Sequence, residues 1–148
     1  MRKIFFLTAF FALFAFTVQA QCDKKFKLKI ERVYTLQEDG SEGEEVPFTA
    51  DATISKDSIL LNLVTPDGAT IEITCKNTST DCKMNADYTD GTIEWKSDAV
   101  MNSNGQSRDA KMLFKLEAKE GKLKLIGWPE ESPTEKICFL VKEKEPVK

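Results

Sequence analysis

The chain contains no histidine, so the side chain that most often acts as a general base in enzymes is missing. A catalytic triad built on His and a zinc site with His ligands are both excluded. Paired carboxylates can hydrolyse glycosides, but the 24 Asp and Glu residues show no spacing that singles out one pair. The sequence also lacks a phosphate-binding loop or a nucleotide motif. We therefore expect a protein that is not an enzyme and that uses no cofactor.

Positive charge is scarce as well, with 21 Lys and Arg residues against 24 Asp and Glu residues and a net charge of −3. Residues 1–20 contain two of the basic residues and none of the acidic ones. Without that segment the balance is 21 − 2 = 19 basic residues against 24 acidic ones, a net charge of −5. Nucleic-acid binding requires a basic face, so we expect no nucleic-acid partner.

The chain has one long hydrophobic run, and it lies at the N-terminus, MRKIFFLTAFFALFAFTVQA. Two basic residues precede the apolar run, and small or apolar residues at Val18 and Ala20 match the positions that a signal peptidase reads. The run is shorter than the roughly 20 residues of a membrane-spanning helix, so we expect no stable membrane anchor after cleavage. The sequence predicts a signal peptide over residues 1–20, a secreted or periplasmic location, and a single domain over residues 21–148.

All four cysteines follow the predicted cleavage site. A C-x-x-C redox motif is absent, and four scattered Cys residues without His do not make a tetrahedral zinc site. The segment Asn85–Gly91 resembles a calcium loop, but its Gly falls one position late and Lys96 stands where the bidentate Glu belongs. We expect no metal. The cysteines are expected to form disulfides, and sequence alone allows three pairings.

Alternation of apolar and polar residues, the pattern of a strand with one buried face, supplies a register for choosing among these pairings. The turn signals Lys56-Asp57 and Pro66-Asp67-Gly68 place Ala52 opposite Leu61, and Leu61 opposite Ile73. The signal Asp90-Gly91 places Tyr88 opposite Ile93 and Ala86 opposite Trp95. A six-residue loop over 76–81, which also holds the glycosylation sequon at Asn77, then places Cys75 opposite Cys82, and Ile73 opposite Met84.

This register predicts a Cys75–Cys82 disulfide across one hairpin. The remaining pair, Cys22 and Cys138, lies near the two ends of the predicted domain, so a bond between them would tie those ends together.

The segment 109–121, DAKMLFKLEAKEG, has two interpretations. It is rich in helix-forming residues and ends in Gly, which fits a capped helix over 109–120. As a hairpin turning at Glu120-Gly121, it pairs Leu116 with Leu125 and Phe114 with Gly127. Favourable pairs on both faces of this hairpin favour strands.

The predicted fold is all-β, an antiparallel up-and-down meander of about 8–10 strands closing as a barrel. The alternative is a β-sandwich, or a barrel with one helix at 109–120. The predicted barrel is similar in shape to those of the lipocalins. Its first strand, KFKLKIERVY, lacks the Gly-x-Trp motif that lipocalins carry there, so the resemblance concerns shape alone.

The predicted function is binding of a small apolar ligand in the barrel interior. Large and small residues alternate on the inner face, and this pattern suits a hollow barrel and a filled one equally. The alternative is a secreted or cell-envelope interaction module or inhibitor that contacts a protein partner through loops, of which 98–108 is the main candidate and 38–45 another long one. The interior candidates for ligand binding are Phe26, Leu61, Ile73, Met84, Tyr88, Trp95, Phe114, Leu125 and Phe139.

Overall fold

The computed structural model describes residues 22–147, so the predicted signal peptide at 1–20 lies outside the described residues. This part of the chain folds into nine strands, and every neighbouring pair runs antiparallel. No helix in residues 22–147 is long and apolar enough to cross a membrane. The strands are β1 (Phe26–Leu36), β2 (Glu42–Val46), β3 (Thr49–Ile54), β4 (Ser58–Val64), β5 (Thr70–Met84), β6 (Gly91–Ser103), β7 (Gln106–Lys119), β8 (Lys122–Pro129) and β9 (Lys136–Pro146).

The sheet closes because β1 pairs with β9 along its whole length, from Phe26 opposite Pro146 to Leu36 opposite Lys136. The other edge of β1 is shared, with β3 pairing with residues 26–29 and β2 with residues 33–36. The result is an eight-stranded closed barrel with β2 as one extra strand. The predicted all-β barrel is confirmed. The helix considered for 109–120 is wrong, because β7 occupies that segment.

Two groups of hairpins have the predicted register. Across β3, β4 and β5, Ala52 lies opposite Leu61, and Leu61 lies opposite Ile73. Across β7 and β8, Leu116 lies opposite Leu125. In each case a short turn with strong Gly or Asp signals joins two segments of strict alternation, and these local features fix the register.

The predicted hairpin between Cys75 and Cys82 is wrong, because both residues lie on the single long strand β5. Seven residues at about 3.3 Å each separate them by roughly 23 Å, too far for a disulfide. The chain turns later, through a loop over 85–90, and Met84 pairs with Gly91. Tyr88 therefore does not pair with Ile93.

A β-bulge in the middle of β5 explains how the polar segment KNTSTD continues as a strand. Asn77 pairs with Ser97 and Ser79 with Lys96, so the intervening residue is extra. One extra residue reverses which positions face inward. Cys75 and Cys82, an odd number of positions apart, consequently both contribute to the interior.

The loop predicted over 98–108 is also wrong. Strand β6 continues to Ser103, strand β7 begins at Gln106, and a two-residue turn at Asn104-Gly105 joins them. Both turn residues have positive φ, 51° and 76°, as a primed hairpin turn requires.

The barrel has two ends, which we name by their turns. The open end carries the turns at 37–41, 65–69, 104–105 and 130–135, and the closed end carries those at 55–57, 85–90 and 120–121 together with the segment 22–25.

Candidate ligand-binding site

The closed end is filled by Tyr88, which the 85–90 loop directs into the barrel. Tyr88 has φ of 56° and is only 3% exposed. Its ring meets the Phe26 ring edge-on with centroids 5.2 Å apart, and the Lys144 ammonium lies 3.9 Å from the Tyr88 ring centroid. Loss of solvent lowers the pKa of Lys144, and burial raises the pKa of Tyr88. These contacts make the closed end a packed region.

Asn85 holds this loop in shape. Its side-chain oxygen accepts hydrogen bonds from the backbone nitrogens of Thr89 and Asp90 at 2.9 and 3.1 Å. Its side-chain nitrogen donates to the Thr89 hydroxyl at 2.8 Å. Asn85, the first residue of the segment that resembles a calcium loop, thus stabilises the turn itself. Within residues 22–147, no group of three or more His, Cys, Asp or Glu side chains is placed to hold a metal ion.

A disulfide between Cys22 and Cys82 fastens the segment 22–25 over the closed end, with Cα atoms 6.3 Å apart. The backbone nitrogen of Val147 donates to the Lys25 carbonyl at 3.2 Å and adds a second attachment. Cys82 is available because the bulge turns it inward at this end of β5. The segment and the Tyr88 loop together seal the barrel.

The predicted Cys22–Cys138 bond is therefore wrong. Cys138 lies opposite Tyr34 of β1, whereas Cys22 precedes Phe26 at the other end of the same strand. Eight residues at about 3.3 Å separate these two levels by roughly 26 Å. Cys75 and Cys138 are free thiols, and both are buried. Burial raises the pKa of Cys138, and it raises the pKa of Cys75 to about 12.

The open end contains a cavity of about 710 Å³. Residues of seven strands, all except β2 and β3, line it, and most of the lining side chains are apolar, because every second residue of a strand points into the barrel. Among them are Leu61, Leu63, Ile73, Met101, Phe114 and Phe139. The barrel is thus hollow at one end and filled at the other, an arrangement that the inner-face pattern left undecided.

The nine predicted interior residues divide between the two ends. All nine are buried, but only Leu61, Ile73, Phe114 and Phe139 line the cavity. The other five lie away from it and belong to the packed core, namely Phe26, Met84, Tyr88, Trp95 and Leu125. Met101 and Met112 also line the cavity and were not among the predicted interior residues. The turn signal Asn104-Gly105 indicates that both belong to long strands.

Gly127 helps to shape the inner end of the cavity. It lies opposite Phe114 across the β7–β8 pair, and a Cβ atom at this position would come within 2.9 Å of the Phe114 ring. The missing side chain lets that ring lie against the barrel wall. Phe114 itself is almost fully buried and lines the cavity.

Charged side chains surround the mouth of the cavity. Arg108 continues the inward-facing positions of β7 beyond Met112 and Ala110, and lies opposite Met101. Glu131 and Glu135, in the 130–135 turn, line the same mouth. The mouth therefore presents both signs of charge above an apolar interior.

Two lysines of the mouth already have partners. The Lys111 ammonium lies 2.9 Å from an Asp98 carboxylate oxygen, and this contact raises the pKa of Lys111. The Lys136 ammonium lies 5.1 Å from the centroid of the Trp128 ring.

Asn77, the sequon residue, lies on β5 and not in an exposed loop. Its amide nitrogen donates to the Lys56 carbonyl at 3.1 Å, and its amide oxygen accepts from the buried Ser97 hydroxyl at 2.7 Å. The nitrogen that would carry a glycan is thus used in joining β5 to the turn between β3 and β4.

No protein-family model, curated protein or solved structure matches this chain. The chemistry available at the open end is that of a concave, largely apolar surface with hydroxyl and charged groups at its mouth. Such a surface can remove a hydrophobic molecule from water and orient its polar end.

Proposed function

We propose that this protein binds a small apolar molecule in the cavity at the open end and catalyses no reaction on it. The cavity itself is the observation that supports the proposal, since its volume of about 710 Å³ falls in the range typical of ligand sites. Burial of a ligand's apolar surface there would contribute about 25 cal/mol for each Å² removed from water.

The division of the barrel favours this function physically. The packed closed end holds Tyr88, Trp95 and Leu125, each at most 3% exposed, and supplies the tight packing that stabilises the fold. The open end does not have to supply this packing, so a hollow interior there is compatible with a stable fold.

Export to a secreted or periplasmic location is part of the proposal. The Cys22–Cys82 disulfide supports it, because such bonds persist in oxidising compartments. The N-terminal apolar run supports it as a cleavable signal peptide. We propose no stable membrane anchor for the processed protein and no nucleic-acid partner.

The alternative function, binding of a protein partner through loops, depended mainly on a long loop over 98–108, which the structure does not contain. The segment 98–108 forms strands with a two-residue turn, and Met101 within it lines the cavity. A protein partner at the shorter turns of the open end is the second proposal, behind ligand binding.

A screen of fatty acids, alkanols and other lipophiles by thermal shift tests the proposal. A ligand that binds the native state alone raises the midpoint of unfolding in a concentration-dependent way. Ala110→Trp should abolish the shift, because Ala110 lines the cavity and an indole would occupy the mouth. The control Val100→Trp places the same side chain on the outer face of β6, where Val100 is 39% exposed, and should leave the shift intact. Equal shifts in both variants would contradict binding in the cavity.

A further inference from the structure

We propose that the ligand is a single-chain amphiphile with a zwitterionic head group. Its anionic part would lie at Arg108, its cationic part at Glu131 and Glu135, and its chain in the apolar cavity. This inference rests on the proposed function and adds the chemical class of the ligand.

The position of Arg108 supports the anionic half of this head group. Arg108, Ala110, Met112 and Phe114 follow one another at alternate positions of β7, so the guanidinium ends an inward-facing row whose other members are apolar. Within residues 22–147 Arg108 forms no ion pair closer than 4.0 Å. A guanidinium offers a planar set of donors that matches phosphate and carboxylate oxygens.

The acidic residues of the mouth support the cationic half. Glu131 and Glu135 line the cavity from the 130–135 turn. In the described part of the chain neither carboxylate has an ion-pair partner within 4.0 Å. A ligand ammonium group at the mouth would find carboxylates of opposite charge.

A head group with a single charge fits this mouth less well. Lys111 is paired with Asp98, and Lys136 stacks on Trp128. Among the described residues that line the cavity, the cation that remains for a ligand is therefore Arg108, and the carboxylates of Glu131 and Glu135 line the same mouth. A purely anionic head would meet more repulsion than attraction, and a purely cationic one would meet the guanidinium at the end of the apolar row. Opposite charges within one head group satisfy both sets of residues.

Calorimetric titration with alkyl probes of one chain length, each below its micelle concentration, tests this inference. The probes are an alkyl phosphocholine, an alkyl carboxybetaine, an alkyl sulfate, an alkyltrimethylammonium and an alkanol. The two zwitterions should bind at least tenfold more tightly than the singly charged probes. Tighter binding of the alkyl phosphocholine would indicate a phospholipid-like ligand, and tighter binding of the alkyl carboxybetaine would indicate a betaine-like one.

Substitutions identify the residues responsible. Arg108→Gln and the double change Glu131→Gln with Glu135→Gln should each weaken zwitterion binding about tenfold and leave alkanol binding unchanged. The controls Lys119→Gln and Glu94→Gln remove charges of the same signs from exposed positions away from the mouth and should change neither.

The outcomes separate the two proposals. If no probe binds, alkanol included, the proposed function fails and this inference fails with it. If the alkanol binds but the zwitterions have no advantage, or Arg108→Gln changes nothing, only the head-group inference is overturned. Tightest binding of the alkyl sulfate or the alkyltrimethylammonium would likewise overturn it in favour of a singly charged ligand.

Discussion

Cys22 and Cys82 are joined by a disulfide at the closed end of the barrel, across 60 residues of sequence. The bond links the segment before the first strand to the end of the longest strand. It restricts the unfolded chain over a large loop, and loop-closure entropy alone corresponds to about 4 kcal/mol.

We therefore predict that Cys22→Ser lowers the free energy of unfolding by about 2–4 kcal/mol, within the range usual for the loss of a native disulfide. Urea denaturation under non-reducing conditions measures the change. Addition of a reductant should destabilise the parent protein and leave Cys22→Ser unaffected. Non-reducing peptide mapping that joined Cys22 to Cys138, or Cys75 to Cys82, would contradict the structure.

The contrast between the two ends predicts different costs for the same substitution. Leu125 is fully buried in the packed region, whereas Leu63 is 7% exposed and borders the cavity. Leu125→Ala should cost about 3–5 kcal/mol, because it creates a void inside close packing. Leu63→Ala only enlarges an existing space and should cost about 1–2 kcal/mol. Denaturant midpoints of the two variants give the comparison, and equal losses would show that the open end is as tightly packed as the closed end.

The buried thiol of Cys75 predicts a loss of stability in alkali. Burial raises its pKa from an ordinary 9.0 to about 12, so the native protein keeps a proton that the unfolded chain releases. The resulting stabilisation is complete below pH 9 and declines as the pH rises toward 12.

Between pH 9 and 10.5 the free energy of unfolding should therefore fall less steeply for Cys75→Ala than for the parent protein. The difference approaches about 1.4 kcal/mol per pH unit at most. Because the smaller side chain also lowers stability at every pH, the slopes and not the absolute values are compared. Parallel slopes would mean that the thiol is solvated in the native state.

The fold could be predicted from the sequence wherever the turn is specified by a few neighbouring residues. Lys56-Asp57, Pro66-Asp67-Gly68 and Glu120-Gly121 each act within a few residues, and the strands around them have the expected register. The bulge in β5 has no such local signal. It interrupts the alternation just where the sequence is most polar, so the strand resembled a loop and the cysteine pairing derived from it was wrong.

The site was only partly predictable for a related reason. The alternation of apolar and polar residues identifies both Leu61 and Met84 as inward-facing. It does not show which of them lies at the filled end of the barrel and which lines a cavity. That depends on Tyr88, which the loop over 85–90 folds into the interior at positive φ, and on the segment fastened by Cys22. Both are tertiary features without a periodic pattern.

Methyl NMR of the three methionines at 84, 101 and 112 tests the central claim, a barrel that is hollow at one end, most directly. Met101 and Met112 line the cavity, whereas Met84 is buried at the closed end, so it serves as an internal control. Titration of the protein labelled with ¹³C-methyl methionine with a bound lipophile should shift the Met101 and Met112 signals and leave Met84 in place. A shift of Met84 as large as the other two, or none at all at saturation, would contradict a ligand site at the open end.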